Sequence, residues 1–327
     1  MNNVFLYPGQ GAQRKGMFLE ICNEFSEAKK LIKYAEEISE EPISRYMWEI
    51  EETELSRSDR NQLALTAASL AVTKVLCDMG FQPEICAGFS LGEYAALCTA
   101  KIISFEDTIR LVKERGKIMQ KQCEILNAES EQNKSGMAAV IGLDCQSVVK
   151  AIENLSKDGI CFASNLNSVK QTVISGTADG LKKAETLCME AGARRFIPLK
   201  VAGPFHSPLM MQAGIEFEKV LSKVNFKNPQ KRIFSNVTGK EIFTGEEAKN
   251  LAVKHFTSPV RWIDEESEIG KIIDYKNVNC GSQWNIFETG QGNVLSGLWR
   301  DSTVSQNIGC VAVNSVEVIK NLEEEKC

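Results

Sequence analysis

Two textures of hydrophobic and polar positions run through the chain: short apolar runs closed by glycine, and longer stripes at helical spacing. Val4–Tyr7 is an apolar run that predicts a first strand, and Pro8-Gly9-Gln10-Gly11-Ala12-Gln13 follows it as a glycine-rich loop. Residues 18–56 read as charged helix, with Trp48 and Ile50 as apolar anchors. Arg60–Met79 carries a broad apolar face (Leu63, Leu65, Ala68, Leu70, Val72, Val75, Leu76) and ends at Gly80, where a helix C-terminus favours glycine. Ile85-Cys86-Ala87 predicts a second strand. It runs into Gly88-Phe89-Ser90-Leu91-Gly92 and then into another helix. Ser104 is placed to cap a helix over Phe105–Gln122.

From Gly136 the pattern changes. Strands are expected at Met137–Leu143, Ile160–Leu166, Gln171–Ser175 and Arg194–Val201, with helices at Cys145–Ser156 and Ala178–Ala191. This β-α-β-β-α-β order predicts a ferredoxin-like unit. It interrupts a larger α/β pattern that resumes with the loop Val201–Pro208, helices at Leu209–Val224 and Glu246–Phe256, and strands at Arg232–Val237 and Asn285–Thr289. A second glycine turn, Gly290–Leu295, opens one more helix. The expected fold class is therefore α/β. A discontinuous large domain of α/β-hydrolase type covers 1–130 and 200–327, a ferredoxin-like small domain covers 131–199, and Leu126–Ser135 forms the linker between them.

Composition narrows the class without changing this picture. With 327 residues, 43% hydrophobic and 25% charged, the chain is an ordinary globular protein. No apolar run approaches the ~20 residues of a membrane span, and the N-terminus lacks the basic start of a secretion signal, so a cytoplasmic location and no membrane association are expected. Eleven cysteines, none in a Cys-x-x-Cys pair, are expected to be buried and reduced. Two histidines, His206 and His255, leave no ligand spacing for a metal. A net charge of −5 with no basic block argues against nucleic acid as a partner.

The chemistry centres on Ser90. A Gly-x-Ser-x-Gly turn between strand and helix lifts a serine hydroxyl above a sheet edge and points the next amide, that of Leu91, at a developing oxyanion. The loop at Gly9–Gln13 lacks the Gly-Lys-Ser/Thr of a phosphate cradle and reads as a tight turn that exposes backbone amides. A serine nucleophile needs a base, and His206, on a proline-flanked loop after a strand, is the better placed of the two histidines. Arg115 falls on the apolar stripe Leu111, Val112, Ile118, Met119 of its helix. A buried guanidinium needs an anion: either an internal carboxylate or a bound one, which its planar fork would grip.

Pro8–Gln13, Gly88–Tyr94, Arg115-Gly116, Asn165–Ser168, Phe205-His206-Ser207, Ser258–Trp262 and Glu288–Gly292 occur in the order seen in malonyl-CoA:acyl-carrier-protein transacylases, which the chain resembles over nearly its whole length. The resemblance implies transfer of malonyl from malonyl-CoA to the phosphopantetheine thiol of an acidic acyl carrier protein, through an ester on Ser90, in a monomer that needs no cofactor. It implies His206 as base, the amides of Gln10 and Leu91 as oxyanion donors, Arg115 as the malonate clamp, and Asn165, Phe205 and His255 as further substrate-site positions. The Arg194-Arg195 pair would face the carrier. Three departures stand out: Phe89 replaces the family's usual histidine, His255 its common glutamine, and Asp264–Trp284 is longer. Alternatives are a free-standing acyltransferase of a polyketide or lipopeptide assembly line, a hydrolase that edits acyl carriers, and a non-catalytic protein that docks on carriers.

Overall fold

The computed structural model describes residues 2–128, 134–302 and 308–325. Two sheets organise them. The first strand, β1 (Asn2–Tyr7), lies at the centre of a five-stranded parallel sheet. On one side it pairs with β2 (Pro83–Gly88), which pairs in turn with β7 (Arg232–Ile233). On the other side it pairs with β8 (Trp284–Thr289), and β9 (Cys310–Val313) completes the edge. Side chains alternate across β1. Phe5 and Tyr7 enter the larger core with the helices, whereas Val4 and Leu6 join Trp262, Ile269, Ile286 and Trp299 on the opposite face. Burial on both faces is why these strands read as unbroken apolar runs.

The larger core is built around the helix Ser58–Asp78, buried at 16 of its 21 positions. That helix packs against Phe105–Leu126, whose N-cap is Ser104: its hydroxyl accepts the Asp107 N–H at 3.0 Å. Between residues 18 and 56 the helical stretch is broken into four helices, Ser26–Ser39 the longest, with Ile50 buried and Trp48 partly buried.

The second sheet is antiparallel and four-stranded, in the order β4 (Cys161–Ser168), β5 (Gln171–Gly176), β3 (Gly136–Ile141), β6 (Arg195–Pro198). Helices Cys145–Ala151, Glu153–Lys157 and Ala178–Glu190 cover one face around Val140, Val148, Ile152 and Ile174. The expected helix over Cys145–Ser156 is thus split at Ile152, whose backbone (φ −99°, ψ 10°) leaves helical geometry. The linker expected at Leu126–Ser135 lies partly outside the described residues.

Four further corrections concern the parallel sheet and what covers it. The strand expected at Arg232–Val237 keeps only two residues, because from Phe234 the chain folds back on itself, Phe234 bridging to Glu241 and Ser235 N–H bonding Lys240 O at 2.9 Å, and the next N–H, that of Asn236, goes to the Glu93 carboxylate at 2.8 Å. Asp264–Trp284 is mostly helix, Trp262–Cys280, buried along one side through Trp262, Glu265, Glu266, Ile269 and Ile273. The edge strand β9 and the helix Val316–Glu324 close a side of the sheet for which no element was expected. The cysteines are not uniformly buried: Cys280, at the last turn of its helix, is exposed.

The small sheet also touches the site described below. Asn165 bridges to Val260, with Leu166 N–H on Val260 O at 2.8 Å and Val260 N–H on Ser164 O at 2.9 Å. From β5, the Ser175 hydroxyl donates to the Phe205 carbonyl at 2.5 Å.

Candidate active site

β1 and β2 end side by side, Tyr7 opposite Gly88, and the chain reverses from β2 into the helix Gly92–Thr99. The reversal leaves Ser90 at φ 53°, in the left-handed region that serine rarely occupies. Close packing demands this sharpness. A Cβ on Gly92 would lie 2.0 Å from the Tyr7 carbonyl oxygen, and one on Gly9 would lie 2.6 Å from the Phe89 carbonyl oxygen. The Pro8–Gln13 loop therefore abuts the elbow, with Phe89 N–H bonded to Tyr7 O at 2.8 Å. Among the described residues, the backbone N–H groups of Gln10 and Leu91 meet no acceptor.

Ser90 Oγ lies 2.7 Å from Nε2 of His206. The Nδ1 of His206 lies 2.9 Å from the backbone carbonyl of His255. A carbonyl only accepts, so Nδ1 carries the proton and Nε2 offers its lone pair to the serine hydroxyl. His206 also has a left-handed backbone, φ 57°. Burial, with the Arg115 charge nearby, pulls its pKa down to about 4. It is therefore a neutral acceptor at ordinary pH. A carbonyl, not a carboxylate, orients it, so the pair is a dyad.

Beneath the elbow lies a network that sequence reasoning missed. Asn236 Oδ1 accepts from Ser90 N–H at 2.6 Å and from His255 Nε2 at 3.1 Å. Its Nδ2 donates to Gly88 O at 2.6 Å and Glu265 Oε1 at 2.8 Å. One buried amide thus ties the backbone of Ser90 to His255, whose carbonyl holds His206. Burial pushes the Glu93 carboxyl up to about 7, and burial together with the Glu93 charge holds Glu265 well above the usual carboxylate range. No local signal marks Asn236, which sits inside what reads as a strand.

Arg115 is fully buried. No carboxylate pairs with it among the described residues. Its Nη1 donates to Gln62 Oε1 at 2.7 Å, and Gln62 Nε2 donates to Gln10 Oε1 at 3.0 Å. Tyr94 and Phe256 flank the guanidinium, each ring centroid 5.3 Å from Cζ. Its Nε and Nη2 meet no acceptor among the described residues. Of the two expected alternatives the internal salt bridge is not formed, and the fork keeps two donors for another anion. Gln62 was the readable clue that was missed, a polar residue inside an apolar helix.

Of the other expected positions, His255 is buried and meets His206 both through its carbonyl and ring to ring, 4.8 Å between centroids. Phe205 is buried in the larger core next to His206. Asn165 is buried on β4 at the bridge to Val260, one segment removed from the dyad. Phe89 is half-buried and packs edge-on to Trp262, centroids 5.5 Å apart. Arg194 and Arg195 are exposed. The described residues hold no cluster of His, Cys, Asp and Glu suited to a metal, and no helix long and apolar enough to cross a membrane.

Residues 4–275 match the acyl transferase domain family. The malonyl CoA-acyl carrier protein transacylase of Bacillus subtilis is 34% identical, over 97% of this chain and 95% of that protein. The one from Haemophilus influenzae is 31% identical over 98% of each. Among solved structures, an acyl carrier protein S-malonyltransferase from Vibrio cholerae superposes with a TM-score of 0.88 at 31% identity, covering 98% of this chain and 100% of that one. A malonyl-transacylase solved in complex with a type II PKS acyl-carrier protein also gives 0.88 at 31%, covering 99% and 100%. The serine–histidine dyad, the half-satisfied buried arginine and these matches along nearly the whole length agree, and the chain belongs to the acyl transferase domain family, among its malonyl-CoA–acyl carrier protein transacylases.

Proposed function

We propose that this protein moves a malonyl group from malonyl-CoA to the pantetheine thiol of an acyl carrier protein, by way of an ester on Ser90, and so supplies extender units for fatty acid synthesis. The observation that carries the reading is Arg115: a buried cation with two nitrogens, Nε and Nη2, that meet no acceptor among the described residues, near enough to His206 to depress its pKa. An acyl group that ends in a carboxylate completes those bonds in bidentate fashion; a neutral acyl group leaves them empty.

His206 Nε2 takes the proton of Ser90 as Oγ attacks the thioester carbon. The oxyanion that forms is met by the free amides of Leu91 and Gln10. Collapse breaks the C–S bond, and the coenzyme A thiolate leaves with the proton from His206. The carrier's thiol then enters, gives its proton to His206 and attacks the ester, and Ser90 recovers its hydroxyl. Donor and acceptor differ only beyond the pantetheine, so one site serves both in turn. Exposed Arg194 and Arg195 suit the approach of an acidic carrier.

We read the architecture as a large α/β-hydrolase-like domain (1–130 and 200–327) holding Ser90 and His206. A ferredoxin-like small domain (131–199) is inserted in it. The strand order β4-β5-β3-β6 supports that assignment. The small domain then does more than cover the site, since β4 and β5 each anchor a loop beside His206.

Intact-mass measurement after exposure to malonyl-CoA and acetyl-CoA tests the reading. The expected result is a malonyl adduct that persists until a carrier thiol is added, that is absent in Ser90→Ala, and whose preference over acetyl disappears in Arg115→Ala. Rapid release of free malonate without an acceptor would instead favour a hydrolase. Equal loading of acetyl on the unaltered protein would remove Arg115 from its role.

A further inference from the structure

At the end of the parallel sheet opposite Ser90, where β2 and β7 begin, there is a cavity of about 430 Å³, within the ~300–1,000 Å³ range of small-molecule pockets. Its walls are Leu31, Leu70 and Phe105, from three different helices. Thr73 and Thr99 line it as well, joined by Tyr7, whose hydroxyl donates to Thr99 Oγ1 at 2.7 Å and accepts from Thr73 Oγ1 at 3.3 Å. Three lysines are also part of the lining, Lys74, Lys101 and Lys231. Lys74 is paired with Asp78 one turn along its helix. Neither Lys101 nor Lys231 has a carboxylate partner among the described residues. Lys101 holds φ 64°, the position after a helix end where glycine is the ordinary choice.

Apolar walls with unpaired ammonium groups of one sign call for a ligand with an apolar body and a negative head. The malonyl site uses none of these residues. A flat membrane surface cannot enter a recess between helices, and a bare phosphate would leave the walls unused. We propose that this cavity is a second ligand site, and that its occupant is a free aliphatic carboxylate whose chain lies on Leu31, Leu70 and Phe105 while its head meets Lys101 and Lys231. The inference does not depend on the acyl-transfer reading, because no residue that lines the cavity belongs to the acyl site.

Sodium decanoate below its micellar concentration is the probe. Titration calorimetry should give one equivalent bound, a Kd weakened about tenfold or more in the Lys101→Gln/Lys231→Gln double variant, and no comparable binding of decyltrimethylammonium. Location is read on the unaltered protein by alkylation with N-ethylmaleimide and peptide mass mapping. Half-buried Cys77 lines the cavity, whereas exposed Cys280 does not. Decanoate should slow labelling of Cys77 and leave Cys280 unchanged, with or without malonyl-CoA. Binding of several equivalents, equal binding of the cationic analogue, unprotected Cys77, or displacement by malonyl-CoA would each overturn the proposal. So would an unchanged Kd in a folded double variant.

Discussion

The proposed base, His206, has surroundings that disfavour its charged form. Burial and the Arg115 charge both act against protonation, so the imidazole stays neutral down to about pH 4. The kcat/KM for acylation of Ser90 should therefore hold steady from pH 8 to pH 5 and fall only below that. With acetyl-CoA as the donor, Arg115→Ala should shift the acid limb to higher pH, because one of the two depressing influences is gone; an unmoved limb would leave burial as the only cause. Arg115 was legible in the sequence since helical spacing alone places it on an apolar stripe. Ser90 and His206 were legible from their turn and loop. Asn236 was not, because what makes it matter is a set of partners 19 to 148 residues away in the chain: His255, Glu265, Ser90 and Gly88. A buried polar residue is told from a strand residue only by its tertiary bonds.

Elements are held to the site by close approach. Gly92 touches β1 so tightly that a methyl group would overlap the Tyr7 carbonyl oxygen, a backbone atom that cannot swing away. Gly92→Ala should therefore push the elbow off the sheet. Expected results are a clearly lowered melting temperature and loss of the Ser90 adduct; an adduct of ordinary yield would show that the turn relaxes. Most helices and strands were legible because their periodicity is strong and their ends are marked, as Ser104 and Gly80 mark two of them. Boundaries failed where tertiary bonds compete with local pattern. The strand at Arg232 stops early because Phe234 and Ser235 turn to pair with Glu241 and Lys240, and the helix that starts at Cys145 breaks at Ile152, whose side chain is claimed by the small core. The exposed helix end at Tyr275 and Val278 carries apolar side chains outside any core, which blurred the helical pattern of that segment.

At the scale of the whole molecule, stability is set partly by groups buried in their neutral form. Burial raises Glu266 to about 8, and its Oε1 accepts the Trp262 indole N–H at 2.7 Å. A carboxyl raised in the folded state contributes its full stability below the unfolded value near 4.5, and that contribution is lost as pH rises through about 8. Glu266→Gln keeps the acceptor and removes the titration. Its melting temperature should match the unaltered protein near pH 5 and exceed it by a few degrees at pH 8.5. His206 and His255, held neutral by burial, act in the opposite sense and weaken the fold as pH falls below 6.5. The two-sheet α/β plan was readable from the order of elements. The edge strand β9 was not, since Cys310–Val313 is too short to show a period and owes its place to β8. Arg115 has one more consequence, for the protein's resting form. A buried cation with two empty donors makes the unliganded protein the least settled member of its own cycle. An acyl group that fills those donors adds to folding stability through linkage. The malonylated form should therefore melt above both the free and the acetylated forms in differential scanning calorimetry; equal melting of the malonylated and acetylated forms would show that the acyl carboxylate does not reach Arg115.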